Sequence, residues 1–478
     1  MLLSGTDHHL AGLGVMHEVM NDRVRGKPGY EGFLNDRVIS LPRRLRDHGY
    51  HTYMTGKWHL GLDAAHSPKA RGFERSFSLL HGGASHFSDM KGNFSMQPIA
   101  SYREDNEIVD KLPTNFFSST FYTDKMIEYI ESDLDDAQPF FAYLAYTAPH
   151  WPLQAPDDYI DRYKGVYDSG WDVLREKRLA GLKRAGLMPE QVNSFPRLGR
   201  VKAWEKLTEY EKKHFARRME VYAAMIEQMD VQIGRIINYL ERKGELDNTY
   251  VVFFSDNGPE GNDAINIFDN QVWVPGNFDN SLENIGKQGS YVSQGPGWAQ
   301  VSSSPLRLFK SFPSEGGIRV PAIITHGKRN WNKNITKADA VISVMDITPT
   351  LLDIAEIPLD TEVDDNPGDK PDFLPITGKS LLPYLSGSSE VVRTEADGLG
   401  WELFGRRAFR RGDWKILWLW EPFGTGRWQL YNLKEDPAEL IDLARKYPGK
   451  LKELVEDWDA YAVANGVIVL DQDAGYAK

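Results

Sequence analysis

The sequence predicts an α/β fold: a mostly parallel sheet sandwiched by helices, followed by a smaller carboxyl-terminal α+β domain with an antiparallel sheet. Two observations predict it. Three times between residues 40 and 258, a helix-spaced apolar pattern leads into a short β-prone run and then into a polar cluster. Beyond residue 385 the pattern changes to aromatic, strand-like runs separated by tight turns. The predicted domains are 1–385, with a charged and partly helical insertion at about 153–215, and 386–478.

In the first unit Ser40 caps a short helix with Pro42 in its first turn and Leu41 and Leu45 on one face, and Gly49 ends it. The run Tyr50–Met54 follows, then Gly56-Lys57-Trp58-His59. In the second, Met126, Ile127, Tyr129, Ile130 and Leu134 fall at helical spacing, the run Phe140–Leu144 is strand-like, and Ala148-Pro149-His150-Trp151-Pro152 closes the unit. In the third, Met219, Tyr222, Ile226, Met229, Ile233, Ile236 and Leu240 step by three or four residues until Gly244. Tyr250–Phe254, which does not alternate, then suits a strand buried on both faces, and Ser255-Asp256-Asn257-Gly258 follows it. In a parallel sheet ligands collect outside the carboxyl ends of the strands, so all three polar clusters are placed to converge.

The insertion presents Trp171, Leu174, Leu179 and Leu182 as its inward face. Gly316-Gly317 reads as a turn before a further buried strand ending at Ile324, and Ile347–Ile354 as a helix. The Pro-, Asp- and Gly-rich stretch from Pro358 to Lys379 reads as a loop leading to the boundary. In the second domain Arg407–Phe409 and Trp414–Trp420 flank a turn at Arg411-Gly412-Asp413, Trp428–Leu433 gives a further strand and Pro448–Ala462 a helix.

Composition excludes several classes. With 56 Lys+Arg against 68 Asp+Glu, the net charge of −12 disfavours nucleic acid as a partner. The absence of cysteine excludes disulfides, thiolate metal sites and cysteine nucleophiles in these 478 residues. No run approaches the roughly 18 apolar residues that a spanning helix needs, so the chain reads as soluble, its compartment open.

The chemical candidates each have a plain alternative. Asp256-Asn257 offers a charged and a neutral oxygen suited to a hard divalent cation, or an Asx turn. His150, in a proline-stiffened loop, suits a general acid or a structural role. Lys57 and His59 share a face if the segment is extended, or are surface residues. Lys310 is uninformative alone. Arg411-Gly412-Asp413 is read as a hairpin turn, and His8-His9 lacks partner spacing for a metal site.

The segment from Gly49 to Gly61, with its Gly56-Lys57-Trp58-His59 core, resembles a signature of the type I sulfatases. Gly5-Thr6-Asp7, Ala148-Pro149-His150-Trp151-Pro152, Ser255-Asp256-Asn257-Gly258, Leu308-Phe309-Lys310 and Gly316-Gly317-Ile318-Arg319-Val320-Pro321 are similar to further bacterial arylsulfatase segments, in the same order. The resemblance implies an alkaline-phosphatase-like fold and hydrolysis of sulfate monoesters, with calcium and a formylglycine nucleophile matured by a formylglycine-generating enzyme. It implies that Asp256 and Asn257 are calcium ligands, that Lys57 and Lys310 bind sulfate oxygens, and that His150 protonates the leaving oxygen. His59 would contact the formylglycine and help to expel sulfate. The nucleophile motif, Cys-x-Pro-x-Arg or its Ser form, belongs just upstream of Met1, and a first strand with two more metal-binding Asp residues earlier still. The expectation is therefore a chain lacking its nucleophile. Ser303-Ser304-Pro305-Leu306-Arg307 fits the Ser form but lies in another family segment and is rejected. Two other readings of the same fold are a phosphoester or phosphonate hydrolase and a non-catalytic binding protein.

Overall fold

The computed structural model describes residues 1–327, 337–359, 373–473 and 475. Ser40 accepts a hydrogen bond from the Arg43 N–H and so starts helix α1 (Leu41–Arg46), which leads into strand β1 (His51–Lys57). Strand β2 (Arg75–Leu79) lies beside it, with β3 (Tyr102–Glu104) and β4 (Glu107–Ile108) beyond. Helix α2 (Ser118–Asp133) then brings the chain back to strand β5 (Phe140–Ala145) on the other side of β1. The sheet order is β4-β3-β2-β1-β5, with β2, β1 and β5 parallel, β3 antiparallel to β2 and β4 antiparallel to β3.

Helix α3 (Gly170–Arg184) belongs to the insertion, where Trp171 and Trp204 meet Trp298 of α5 (Gly295–Ser302). In the three-ring cluster, with ring centroids 4.7–5.6 Å apart, Trp171 of the predicted inward face is buried; Leu179 is buried too, while Leu174 and Leu182 are half-buried. Helix α4 (Glu209–Lys243) is longer than its apolar pattern suggests, because Thr208 and Glu211 form a capping box whose cap lies about three turns before the first patterned residue.

Strand β6 (Tyr250–Phe254) departs from expectation. Among the described residues it pairs only with β7 (Ala322–His326), antiparallel, and this pair stands apart from the five-stranded sheet. Neither strand is buried on both faces as predicted: Phe253 is 38% exposed and Ile323 59%. The lack of alternation correctly indicates apolar faces, but periodicity cannot say whether a neighbour covers them. The Gly316-Gly317 segment is a one-turn helix rather than a plain turn.

Helix α6 (Ile347–Ile354) packs Leu352 against Leu41 and Leu45 of α1. Most of the predicted loop at 358–379, residues 360–372, lies outside the described residues. The carboxyl-terminal sheet is an antiparallel meander of β8 (Gly398–Leu403), β9 (Arg406–Arg411), β10 (Trp414–Trp418) and β11 (Gln429–Asn432), covered by α7 (Pro448–Ala464). Arg411-Gly412-Asp413 is its β9–β10 turn, with Gly412 at φ +57°. Among the described residues no helix is long and apolar enough to cross a membrane.

A buried bridge ties the first residues to this sheet. The His9 ring donates from Nδ1 to Asp7 at 2.9 Å and from Nε2 to Glu402 at 3.0 Å. Burial disfavours its charge, but the two carboxylates outweigh burial and push the imidazole up to about 9. A raised histidine stabilises fully below its unfolded value near 6.5 and loses that contribution as pH rises through its folded value. Unfolding free energy is therefore expected to fall by about 3 kcal/mol between pH 6.5 and 9. Denaturant titrations across that range check this, and a His9→Asn variant should flatten the slope.

Candidate active site

The three polar clusters meet at the carboxyl ends of β1, β5 and β6. Lys57, His59, His150, Asp256, Asn257 and Lys310 all line one cavity of about 2100 Å³. Lys57 is the last residue of β1. The preceding Gly56, at φ +111°, has no room for a side chain, since a Cβ would stand 1.9 Å from the Ala145 carbonyl oxygen of β5. Gly56 thus lets β1 and β5 close tightly just below the lysine. Desolvation, and then the charge of Lys310, lower the Lys57 ammonium to about 8.

His59 does not continue the strand. It takes a left-handed conformation at φ +56°, so the shared face predicted for Lys57 and His59 is not an extended one. Its Nε2–H donates to Glu18 at 3.1–3.2 Å. Burial alone would raise the Glu18 carboxyl, but the hydrogen bond and charge of His59 hold it near 2.

His150 is held through its backbone. Its N–H donates to the Thr147 carbonyl at 2.9 Å, and its own carbonyl accepts from His86 Nε2 at 3.2 Å. Ser118, 2.7 Å from His86 Nδ1, and Gln154, which accepts from the His86 N–H, extend this buried support. The His150 Nδ1–H donates to the Trp151 carbonyl at 2.6 Å, which leaves Nε2 as the bare nitrogen of the neutral ring. Burial, then Lys310 and Lys57, hold this imidazole well below the usual histidine range. His59 and His150 border one backbone turn: a Cβ at Gly82 would lie 2.8 Å from His59 Cε1, and one at Gly83 3.0 Å from His150 Nδ1.

The Asp256-Asn257 loop is fixed by Gly258, whose N–H donates to the Gly317 carbonyl at 2.9 Å and whose Cα lies too close to Gly316 for any side chain. Asp256 is exposed, and its carboxylate makes no hydrogen bond or ion pair within the described residues. One carboxylate beside one neutral amide oxygen is the hard donor chemistry that calcium takes, though two side chains supply only part of a six- to eight-oxygen shell. Lys310 reaches Glu260 at 3.5 Å and donates its backbone N–H to the Pro259 carbonyl at 3.0 Å. Glu18, Glu260 and His86 are the residues that sequence reasoning passed over.

A second pocket, of about 290 Å³, opens on the far side of His59, where Glu18, Phe33, His81, Asn93 and Phe94 line it. His81 Nε2 and Asn93 Oδ1 are buried there without a hydrogen-bond partner among the described residues.

The discounted motifs are structural. Arg307 donates to Tyr431 Oη and to the Phe423 carbonyl, and Ser303 donates to the Leu308 carbonyl, deep in the core. Asp7, His8 and His9 form the one three-residue group among the described residues close enough to share a metal ion. Both nitrogens of His9 are, however, committed to carboxylates.

The chain matches the sulfatase family model over residues 1–357. It is 44% identical over 487 aligned positions to an uncharacterized sulfatase of Schizosaccharomyces pombe, covering 99% of this chain and 86% of that protein. It is 39% identical to an arylsulfatase of Klebsiella aerogenes, covering 83% of each. Among solved structures, Ps i-CgsB superposes with a TM-score of 0.63 at 20% identity, over 98% of this chain and 81% of that one. The phosphonate monoester hydrolase of Agrobacterium radiobacter shares the fold with a TM-score of 0.51 at 17% identity, over 97% of this chain and 88% of that one. The chain therefore belongs to the sulfatase family, whose general chemistry is sulfuric ester hydrolysis, and has its alkaline-phosphatase-like α/β fold.

Proposed function

We propose that the protein hydrolyses sulfate monoesters to an alcohol or phenol and inorganic sulfate, with arylsulfatase-type chemistry at the carboxyl ends of β1, β5 and β6. One observation carries this reading: Lys57, Lys310 and His150, from three distant segments, lie within reach of one another's charge. Gathering cationic groups in a partly desolvated cleft is unfavourable until an anion sits among them. The two ammonium groups hold the sulfate oxygens and offset charge that develops as the ester bond breaks.

His150 is the acid for the leaving oxygen. In the empty cleft its Nε2 carries no proton, because burial and the two lysines disfavour one. An arriving anion cancels the lysine repulsion, so Nε2 takes up a proton and can pass it to the leaving alcohol. Binding of inorganic sulfate near pH 7 is therefore expected to take up protons, seen as a dependence of the calorimetric heat on buffer ionisation enthalpy. His150→Gln should abolish that dependence, and a wild-type protein without it would remove His150 from this role. His59, fixed on Glu18, is the second proton-handling group, and the neighbouring 290 Å³ pocket takes the alcohol portion.

Calcium bound by Asp256 and Asn257 would supply Lewis-acid polarisation of the sulfate. A formylglycine hydrate, matured by a formylglycine-generating enzyme in sequence outside these 478 residues, would supply the nucleophile. Residues 1–478 alone are accordingly expected to bind sulfate without turning over an aryl sulfate. Turnover at ordinary enzyme rates in the presence of calcium contradicts this. The shared fold of the phosphonate monoester hydrolase keeps one rival in view. Paired assays of the sulfate and phosphate esters of one phenol, on enzyme carrying the formylglycine, decide between them. The sulfate ester should be preferred.

A further inference from the structure

We propose that Asn93 is a specificity-determining residue that selects sulfate esters of vicinal diols, whose leaving alcohol carries a free hydroxyl on the carbon next to the ester carbon. This selectivity rests on the sulfate-ester reading above, in which His150 protonates the leaving oxygen and the 290 Å³ pocket takes the alcohol portion.

Asn93 stands in a hairpin formed by Lys91–Phe94 and Gln97–Ile99. Its backbone is fixed, since the Asn93 carbonyl accepts hydrogen bonds from Tyr291 Oη at 2.6 Å and from Asn270 Nδ2 at 3.4 Å. The residue lines the pocket, is only 4% exposed, and keeps Oδ1 without a hydrogen-bond partner among the described residues. A buried acceptor left bare is unfavourable until a donor meets it.

The Asn93 amide sits beside the proton donor. A Cβ at Gly83 would stand 2.4 Å from Asn93 Nδ2 and 3.0 Å from His150 Nδ1, so the carboxamide and the imidazole flank one bare Cα. A Cβ at Gly82 would stand 2.8 Å from His59 Cε1, which places the second proton-handling ring on the same turn. Gly82 and Gly83 themselves line the pocket. An alcohol whose oxygen meets His150 and whose body enters the pocket therefore crosses this turn and passes the Asn93 amide. The two oxygens of a vicinal diol lie about one hydrogen-bond length apart, so when one meets His150 the other is the group offered to Asn93 Oδ1. A hydroxyl on the far side of a six-membered ring is carried away from it.

The rest of the pocket suits a ring. Phe33 and Phe94 give it apolar walls. His81, lowered to about 4 by burial and then by the charge of His59, adds no positive charge near neutral pH. Water can satisfy Oδ1 in the free protein. A leaving alcohol with no donor expels that water and leaves Oδ1 bare, whereas a vicinal hydroxyl replaces it. Aryl diols and saturated, sugar-like diols share this chemistry.

Calorimetric binding to the 478-residue chain tests the selectivity without turnover. 2-Hydroxyphenyl sulfate should bind at least about tenfold more tightly than phenyl sulfate or 4-hydroxyphenyl sulfate. The same comparison of trans-2-hydroxycyclohexyl sulfate with cyclohexyl sulfate separates the two sources, the pair with the larger ratio naming the diol. Asn93→Leu should bring the ratio close to unity while affinity for inorganic sulfate is kept. Asn93→Asp retains an acceptor oxygen and should weaken every anion yet preserve the ratio. Ratios below threefold in both wild-type pairs, an equal gain from the remote hydroxyl, or a ratio that survives in Asn93→Leu overturn the selectivity. The wild-type ratios decide even where the Leu variant does not fold. If inorganic sulfate itself does not bind the wild-type chain, the sulfate reading falls and this selectivity with it.

Discussion

In enzyme carrying the formylglycine, Lys57→Ala is expected to lower kcat/KM for an aryl sulfate by about 10²–10³, the usual loss when one fixed donor to a developing oxyanion is removed. The size of the effect follows from placement. Gly56 locks the end of β1 against the Ala145 carbonyl, so the lysine stem leaves the sheet from a rigid point. Its ammonium lies partly desolvated, where a fixed charge counts for more than in water. Lys57→Arg should rescue poorly, because a planar guanidinium presents its donors differently from a compact ammonium. The pH dependence has a definite sign. Lys57 is charged below its folded value of about 8 and neutral above it, so sulfate affinity should fall as pH rises through 8, by at most tenfold per unit. Kinetics on the variant and sulfate binding from pH 6 to 10 check both. A loss below threefold, or affinity that is flat across pH 8, would remove Lys57 from the sulfate site.

Lys415→Met should destabilise the fold by about 3–5 kcal/mol, as removal of one partner from a buried ion network does. Lys415 on β10 has no solvent exposure, and its ammonium meets Glu315 at 2.8 Å and Glu439 at 2.9 Å, both buried carboxylates. Without the lysine the two acids face each other in the core, and one must take up a proton. Glu439 is already the more reluctant to ionise, since burial raises it and Glu315 adds repulsion. Reducing the charge on all three, as Lys415→Met with Glu315→Gln and Glu439→Gln, should recover a large part of the loss. Equilibrium unfolding of the single and triple variants measures this. The network also bears on the site. Glu315 starts the one-turn helix whose Gly316 and Gly317 brace the Asp256-Asn257 loop, so the carboxyl-terminal sheet anchors that loop from behind.

Much of this was legible in the sequence for identifiable reasons. The Ser40 cap, the long amphipathic pattern of α4 and the aromatic hairpin around Gly412 are local signals, and each element forms where its signal lies. Five of the six candidate residues come together because each lies in the polar cluster that follows β1, β5 or β6, and these clusters line one cavity; Lys310, which follows no strand, is brought there by the fold alone. The rest was hidden by physics that is not local. A non-alternating run such as Tyr250–Phe254 declares apolar faces but not the neighbour that covers them, so the isolation of β6 and β7 could not be read. Glu18 sits in a single 3-10 turn and Glu260 in a loop, neither with a readable period, and only the fold brings them to His59 and Lys310. Lys415 is a single charge within the apolar run Trp414–Trp418, and nothing local to that run names the two buried acids that pair with it.

The most direct test of the central claim, that residues from these three segments form one sulfate site, is a crystal structure of residues 1–478 grown with sulfate and calcium. The expected result is a sulfate within hydrogen-bond distance of Lys57 Nζ, Lys310 Nζ and His150 Nε2, beside Asp256 and Asn257. A cleft in which Lys57, Lys310 and His150 share no anion at saturating sulfate, while binding of sulfate elsewhere accounts for the solution affinity, would contradict it.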